Sequence, residues 1–116
     1  MAGELSLGAE IALMQSMNIM ITMDSSNMHL SSLSGVKTIT LWGATHPYTG
    51  FEAYHQEEDR NFQISKKELS CRPCTVFGKG TCRRKDFACM QWLTPQLVFN
   101  KMINLNLLPQ TNKSDI

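Results

Sequence analysis

The sequence has almost no net charge, no long apolar run and no internal repeat. Eleven Lys and Arg stand against ten Asp and Glu in 116 residues, a formal balance of +1. That balance excludes a surface built throughout to hold nucleic acid or an anionic membrane, so any basic patch has to be local. No apolar stretch approaches the roughly 20 residues of a membrane-spanning helix. The opening MAGELSLGAEIALM carries Glu4 and Glu10 and has no basic region ahead of its apolar positions, which argues against a secretory leader and for a cytoplasmic protein. With 42% hydrophobic residues the chain can still bury a modest core, one domain of two or three layers.

Hydrophobic spacing then supplies the elements. Leu7, Ile11, Leu13, Met14 and Met17 fall close to one helical face, so the pattern predicts a helix over 6–17 with Ser6 as its cap. Residues 19–23 form a short apolar run, read as a buried strand, and 37–42 (KTITLW) read as a second. Between them Met28, Leu30 and Leu33 can share one face, and Gly35 suits the left-handed turn that ends a helix. A strand, helix and strand in this order close right-handed with parallel strands covered on both faces, which assigns the first helix to the second face. Residues 43–60 read as a long loop, 61–65 as a short strand, and 71–89 as a cysteine-bearing loop. Thr94 followed by Pro95 opens a last helix that buries Leu97, Val98, Met102 and Ile103. The expected domain is 1–105, with 106–116 a flexible tail.

At the junction of the first strand and the next helix stands Asp24-Ser25-Ser26-Asn27-Met28-His29. In an open parallel sheet, ligands bind beyond the carboxyl ends of the strands, where each following helix offers free N–H groups and about half a positive charge. Such a junction favours phosphate. Ser25 and Ser26 add small hydroxyl donors, and His29 lies one turn along from Ser25. A carboxylate would repel phosphate, so Asp24 is expected to cap the helix or hold a loop. On the pattern alone these residues are equally well ordinary cap residues with a half-exposed histidine.

The segment LSLGAEIALMQSMNIMITMDSSNMHLSSLSGVKTITLWGATHPYTGF resembles the C-terminal half of glycosyltransferase family 9, the lipopolysaccharide heptosyltransferases. The signs are the Asp-Ser/Thr-Gly-x-x-His motif, here Asp24 to His29, and the Gly-x-Thr-x-Pro turn, here Gly43-Ala44-Thr45-His46-Pro47. The cysteine segment CRPCTVFGKGTCRRKDFACM followed by a Thr-Pro helix also matches the family, so the likeness runs from about Leu5 to Ile103. The resemblance implies an α/β fold, a Rossmann-like C-terminal half of a GT-B glycosyltransferase with a partial parallel sheet and flanking helices. It implies that Ser25, Ser26, Asn27 and His29 contact the diphosphate of an ADP-sugar donor, ADP-heptose, with Asp24 and Thr45 shaping the site and Leu5 against the adenine. The family commonly has glycine where this chain has Ser26. It also implies a lipopolysaccharide-type acceptor, work at the inner face of the bacterial inner membrane, and a catalytic base in an N-terminal domain that cannot be mapped here. The isolated chain is therefore expected to be inactive, and its unpaired sheet edge to drive association.

Cys71, Cys74, Cys82 and Cys89 invite three readings: a structural zinc site, reduced packing thiols or a local disulfide. Arg72, Lys79, Arg83, Arg84 and Lys85 crowd the same segment, so a zinc-knuckle nucleic-acid module is a rival from another class. Only Phe77 and Phe87 are interleaved as stacking rings, which disfavours it, and no nucleic-acid partner is expected. A non-catalytic interaction domain that has lost the ligand is the other alternative. His46, Tyr48, Phe51, Tyr54 and His55 give the loop after the second strand the look of a binding wall, or of a cover over the sheet end.

Overall fold

The computed structural model describes residues 3–75, 77 and 81–108. Its elements run α1 (Leu7–Gln15), β1 (Met20–Met23), α2 (Ser26–Ser34), β2 (Thr38–Leu41), β3 (Asn61–Phe62), α3 (Ala88–Gln91) and α4 (Pro95–Asn104). The strands form one sheet in the order β1-β2-β3 and are parallel throughout, with Met20 beside Thr38 and Thr40 beside Asn61. This is the α/β fold expected, a three-stranded parallel sheet with flanking helices, consistent with a Rossmann-like half of a GT-B enzyme.

Local chemistry sets the element ends. Ser6 Oγ accepts from the Ala9 amide at 3.2 Å, and Thr94 Oγ1 accepts from the Leu97 amide at 3.2 Å ahead of Pro95, so both helices start where a hydroxyl meets a free N–H. Gly35 closes α2 at φ 85°, a left-handed conformation that a side chain would resist.

Strand alternation splits the core in two. Thr38, Thr40 and Trp42 face α2: the Thr38 hydroxyl donates to Ser31 Oγ at 3.1 Å, and Trp42 packs with Met28 and Ala53. The buried Trp42 indole donates to Asn61 Oδ1 at 3.0 Å, so its one polar atom is satisfied. Ile39 points the other way, into a cluster with Phe62, Ile64, Leu69, Cys89 and Met102 of α4. Burial of side chains of this size contributes about 1.5–3 kcal/mol each before entropy is counted.

Three details differ from expectation. The helix α1 does not cover the second face; it packs chiefly against α2, and Met14 is its buried residue. Strands laid down in sequence order across a sheet take their right-handed connections on one face, which leaves the other to α4. Second, β3 stops at Phe62, because the Ile64 carbonyl is taken by the Arg72 guanidinium and is lost to the ladder. Third, the cysteine-bearing loop ends in the one-turn helix α3, whose first amide, on Ala88, donates to Asp86 Oδ1 at 3.2 Å.

The expected tail begins packed, with the Leu107 amide donating to the Met102 carbonyl at 2.9 Å and Leu107 and Leu108 against the core. Residues 109–116 lie outside the described residues. Among the described residues no helix is long and apolar enough to cross a membrane.

Candidate functional site

The strand β1 delivers the chain to the end of the sheet at Met23, and α2 begins three residues later. Ser25, not Asp24, occupies the N-cap, in an extended conformation at φ −158° and ψ 173°. Its hydroxyl makes no capping bond. It turns back instead toward Thr22 Oγ1 and the Met23 carbonyl, both at 3.4 Å. Ser25 therefore leaves the first-turn amides of Ser26 and Asn27 uncapped, beyond the carboxyl end of the sheet where the helix dipole is positive. Ser25, Ser26, Asn27 and His29 are all exposed there. Ser26 lies within the helix and not in the left-handed region, so serine stands without backbone strain where the family commonly has glycine.

A cavity opens on each side of this turn. One, of about 220 Å³, lies between the ends of β1 and β2 and is lined by Asp24, Gly43, Thr45, Phe77 and Met90 among others. Asp24 and Thr45 thus meet in one space. The other, of about 240 Å³, is lined by Leu5, Leu13, Met14, Met17, Met20 and Asn27, together with Glu10, and is largely apolar. Leu5 and Asn27 thus share the second. Sequence alone assigns neither Phe77 nor Met90 a place at this site: Phe77 figures there only as a ring in the cysteine-bearing loop, and Met90 directly follows its last cysteine. Gly43 carries the trace of Met90: a Cβ there would lie 2.1 Å from the methionine sulfur.

The aromatic loop is placed differently. His46 Nδ1 accepts from the Tyr48 amide at 3.2 Å and starts a 3-10 turn over Pro47–Thr49. Burial, then the nearby Arg72 and Lys66 cations, hold the His46 imidazole below its ordinary pKa. His46 and His55 line separate cavities, with Glu52 and Gln63 around the first and Ser32 and Arg60 around the second.

The cysteine segment is organised by a residue that sequence alone ranks as one basic side chain among five. Arg72 is 1% exposed, and its guanidinium donates to the carbonyls of Gly43 at 2.6 Å and Thr45 at 2.7 Å as well as to Ile64. It is no part of a basic surface. Arg84 pairs with Asp86 at 3.1 Å and lies over the Trp92 ring, and Lys79 falls outside the described residues. Cys71 and Cys89 pack in the same core cluster, and the Cys74 amide donates to the Ala44 carbonyl at 3.3 Å. All four thiols are free. Burial pushes the Cys74 thiol up, helped by the neighbouring Cys71, Cys89 and Cys82 thiols; burial also raises Cys89, against the pull of Arg72. The backbone N–H of Phe87, with those of Arg84, Lys85 and Asp86, holds Cys82 below the usual thiol range. Among the described residues no group of three or more His, Cys, Asp or Glu side chains is set to hold a metal ion.

Comparison with known proteins bears on the family of the chain. The chain is 33% identical over 88 residues to lipooligosaccharide heptosyltransferase 2 of Campylobacter jejuni subsp. jejuni serotype O:2, covering 76% of this chain and 25% of that protein. It is 29% identical over 89 residues to the protein of the same name from serotype O:6, covering 77% and 26%. The chain spans about a quarter of the length of the curated relatives it matches. No solved structure matches it significantly. The family description "Glycosyltransferase family 9 (heptosyltransferase)" fits residues 1–81, which include the turn at the start of α2, and the chain belongs to that family.

Proposed function

We propose that this domain holds the diphosphate of a nucleotide-sugar donor, ADP-heptose, at the start of α2, as part of a longer enzyme that builds the lipopolysaccharide core in the cytoplasm at the inner membrane face. The observation that carries this reading is the N-cap serine that caps nothing: it leaves first-turn amides uncapped between two cavities. The apolar cavity beside Leu5 suits an adenine, and the polar-edged one beside Asp24 and Thr45 suits the sugar end, so a diphosphate on the Ser26 and Asn27 amides would join them. Ser25, Ser26 and His29 supply side-chain donors to the same anion.

The chemistry follows from where charge develops. As the bond from the anomeric carbon to the diphosphate oxygen breaks, its electron pair stays on that oxygen, and amides aimed there stabilise the leaving group. The acceptor hydroxyl needs a base, which the family resemblance puts in an N-terminal domain. The isolated chain is thus expected to bind ADP and transfer nothing. Ile21 and Met23 of β1 are 46% and 49% exposed although Ile39, the register partner of Ile21, is fully buried, so the edge and this face of β1 are where the rest of the enzyme would continue the sheet. Ile21→Lys with Met23→Lys should raise the monomer fraction in sedimentation; an unchanged distribution would remove the edge from the account.

Titration calorimetry with ADP tests the site itself. Heat is expected with the wild-type chain and at least about tenfold weaker binding in the Ser25→Ala, His29→Ala double variant. Undiminished binding by that variant refutes the assignment.

A further inference from the structure

We infer that Arg72 is a positioning residue for the donor sugar: it holds the turn over 43–45 so that the Ala44 and Thr45 amides face the cavity beside Asp24 and donate to a sugar hydroxyl. That role rests on the donor reading above and adds to it the groups that recognise the sugar.

The turn is held by its carbonyls. Gly43 and Thr45 accept from the Arg72 guanidinium at 2.6 and 2.7 Å, and the Ala44 carbonyl between them accepts from the Cys74 amide at 3.3 Å. Three successive carbonyls thus point at one short segment, 72–74. Among the described residues the only cis peptide is Arg72–Pro73, so the peptides of the turn are trans. In a planar trans peptide the N–H runs antiparallel to the C=O. The Ala44 amide therefore points away from Arg72, and the Thr45 amide away from Cys74. Neither has an acceptor among the described residues. An amide without a partner in the protein is either wet or meets a ligand.

What these amides face is the cavity of about 220 Å³, lined by all three residues of the turn together with Met23, Asp24 and Leu41. Residues 71–75 take no part in that lining, so the cavity lies across the turn from Arg72 and Cys74. The Met90 side chain fills the space beside Gly43 and braces the turn on this side as well.

Asp24 decides what the amides take. A phosphate oxygen only accepts, and the carboxylate would repel it. A hydroxyl accepts from an N–H and donates to a carboxylate, which suits a wall of donors set against an acid. A polyhydroxylated sugar ring is such a ligand, and the phosphates are left to the amides at the start of α2. Arg72 is 1% exposed and touches no ligand itself. Its part is to keep two backbone donors in place before the sugar arrives, so that binding does not have to order them. With the ring held on one side and the diphosphate on the other, the anomeric carbon is fixed for attack. Lysine cannot substitute, because one guanidinium spans carbonyls two residues apart and an ammonium lacks that planar fork.

The test is amide NMR on the isotope-labelled full chain, titrated with ADP and with ADP-heptose. ADP should move the Ser26 and Asn27 resonances and leave those of Ala44 and Thr45 in place. ADP-heptose should move all four, with the Ala44 and Thr45 amide protons shifted downfield. In Arg72→Lys both ligands should still move Ser26 and Asn27, while the Ala44 and Thr45 shifts vanish and ADP-heptose binding falls about five- to tenfold against a change of less than about twofold for ADP. A merely structural loss would weaken both ligands alike, and that result overturns the positioning role. So does an ADP-heptose titration of the wild-type chain that moves Ser26 and Asn27 but neither Ala44 nor Thr45, whatever Arg72→Lys does to folding; the diphosphate site would then stand without this one. Movement of Ala44 and Thr45 by ADP alone would make them phosphate donors and overturn the sugar assignment. If neither ligand moves Ser26 or Asn27, the donor reading itself has failed and the role of Arg72 falls with it.

Discussion

Residues 20–41 and residues 63–93 both contribute to the core, by different means. In the first stretch each buried side chain sits on a strand or helix whose period turns it inward: Thr22, Met28, Ser31, Thr38, Ile39 and Thr40 are all on β1, α2 or β2. In the second, Ile64, Leu69 and Leu93 lie outside regular elements, and Arg72 ties this stretch to the loop after β2 through the carbonyls of Gly43 and Thr45. A periodic region spreads its stability over many equivalent contacts. An irregular one concentrates it in a few long-range bonds, so it should fail at single points and fail alone.

Arg72→Met should break the comparison open. It leaves three carbonyls without their donor, and the expected loss is about 3–5 kcal/mol in denaturant unfolding. Hydrogen exchange gives the sharper reading: protection should fall through 63–93 and persist on the β1–β2 amides. Equal loss in both stretches would mean that they unfold as one. Arg72→Lys should recover only part of the loss, because one ammonium cannot reproduce the planar fork that reaches three acceptors.

Gly43→Ala probes the seam between the regions, where the Met90 sulfur occupies the space that the new methyl would need. The expected cost is about 1–3 kcal/mol. Since the obstacle is the far part of a flexible side chain, Met90→Ala in the same chain should relieve most of it. The pair should therefore be clearly non-additive in a double-mutant cycle. Simple addition would show that the glycine is needed for its backbone and not for the methionine.

The same division marks what the sequence makes legible. Ser6, Gly35 and the Thr94-Pro95 pair announce their helix ends because capping is a contact between neighbours in the chain. The parallel strand–helix–strand order and the helix start between Asp24 and His29 are likewise readable from residues in one short window, but that the N-cap is Ser25, with a hydroxyl that caps nothing, is not. Arg72 is not, because a guanidinium that reaches carbonyls 29, 27 and 8 residues away leaves no periodic mark, and a basic side chain in a basic segment reads as surface. The truncation of β3 at Phe62 follows from Arg72 and is equally invisible. The face taken by α1 depends on the order of strands across the sheet, which a run of apolar positions does not specify. At the site, Phe77 and Met90 reach the cavity from a segment whose cysteines command the attention; the glycine at 43 was the signal that a bulky neighbour had to fit.

Serine and threonine caps give the finest test, because two of them are structural and one is not. Ser6 and Thr94 each accept a first-turn amide at 3.2 Å, so Ser6→Ala and Thr94→Ala should each cost about 1 kcal/mol, read as a shift in the unfolding midpoint. Ser25 stands in the equivalent position on α2 and accepts none, so Ser25→Ala should leave the midpoint where it is while weakening ADP binding. A loss of stability as large as at the other two caps would mean that Ser25 serves its own helix after all, and its hydroxyl would no longer be free for a phosphate.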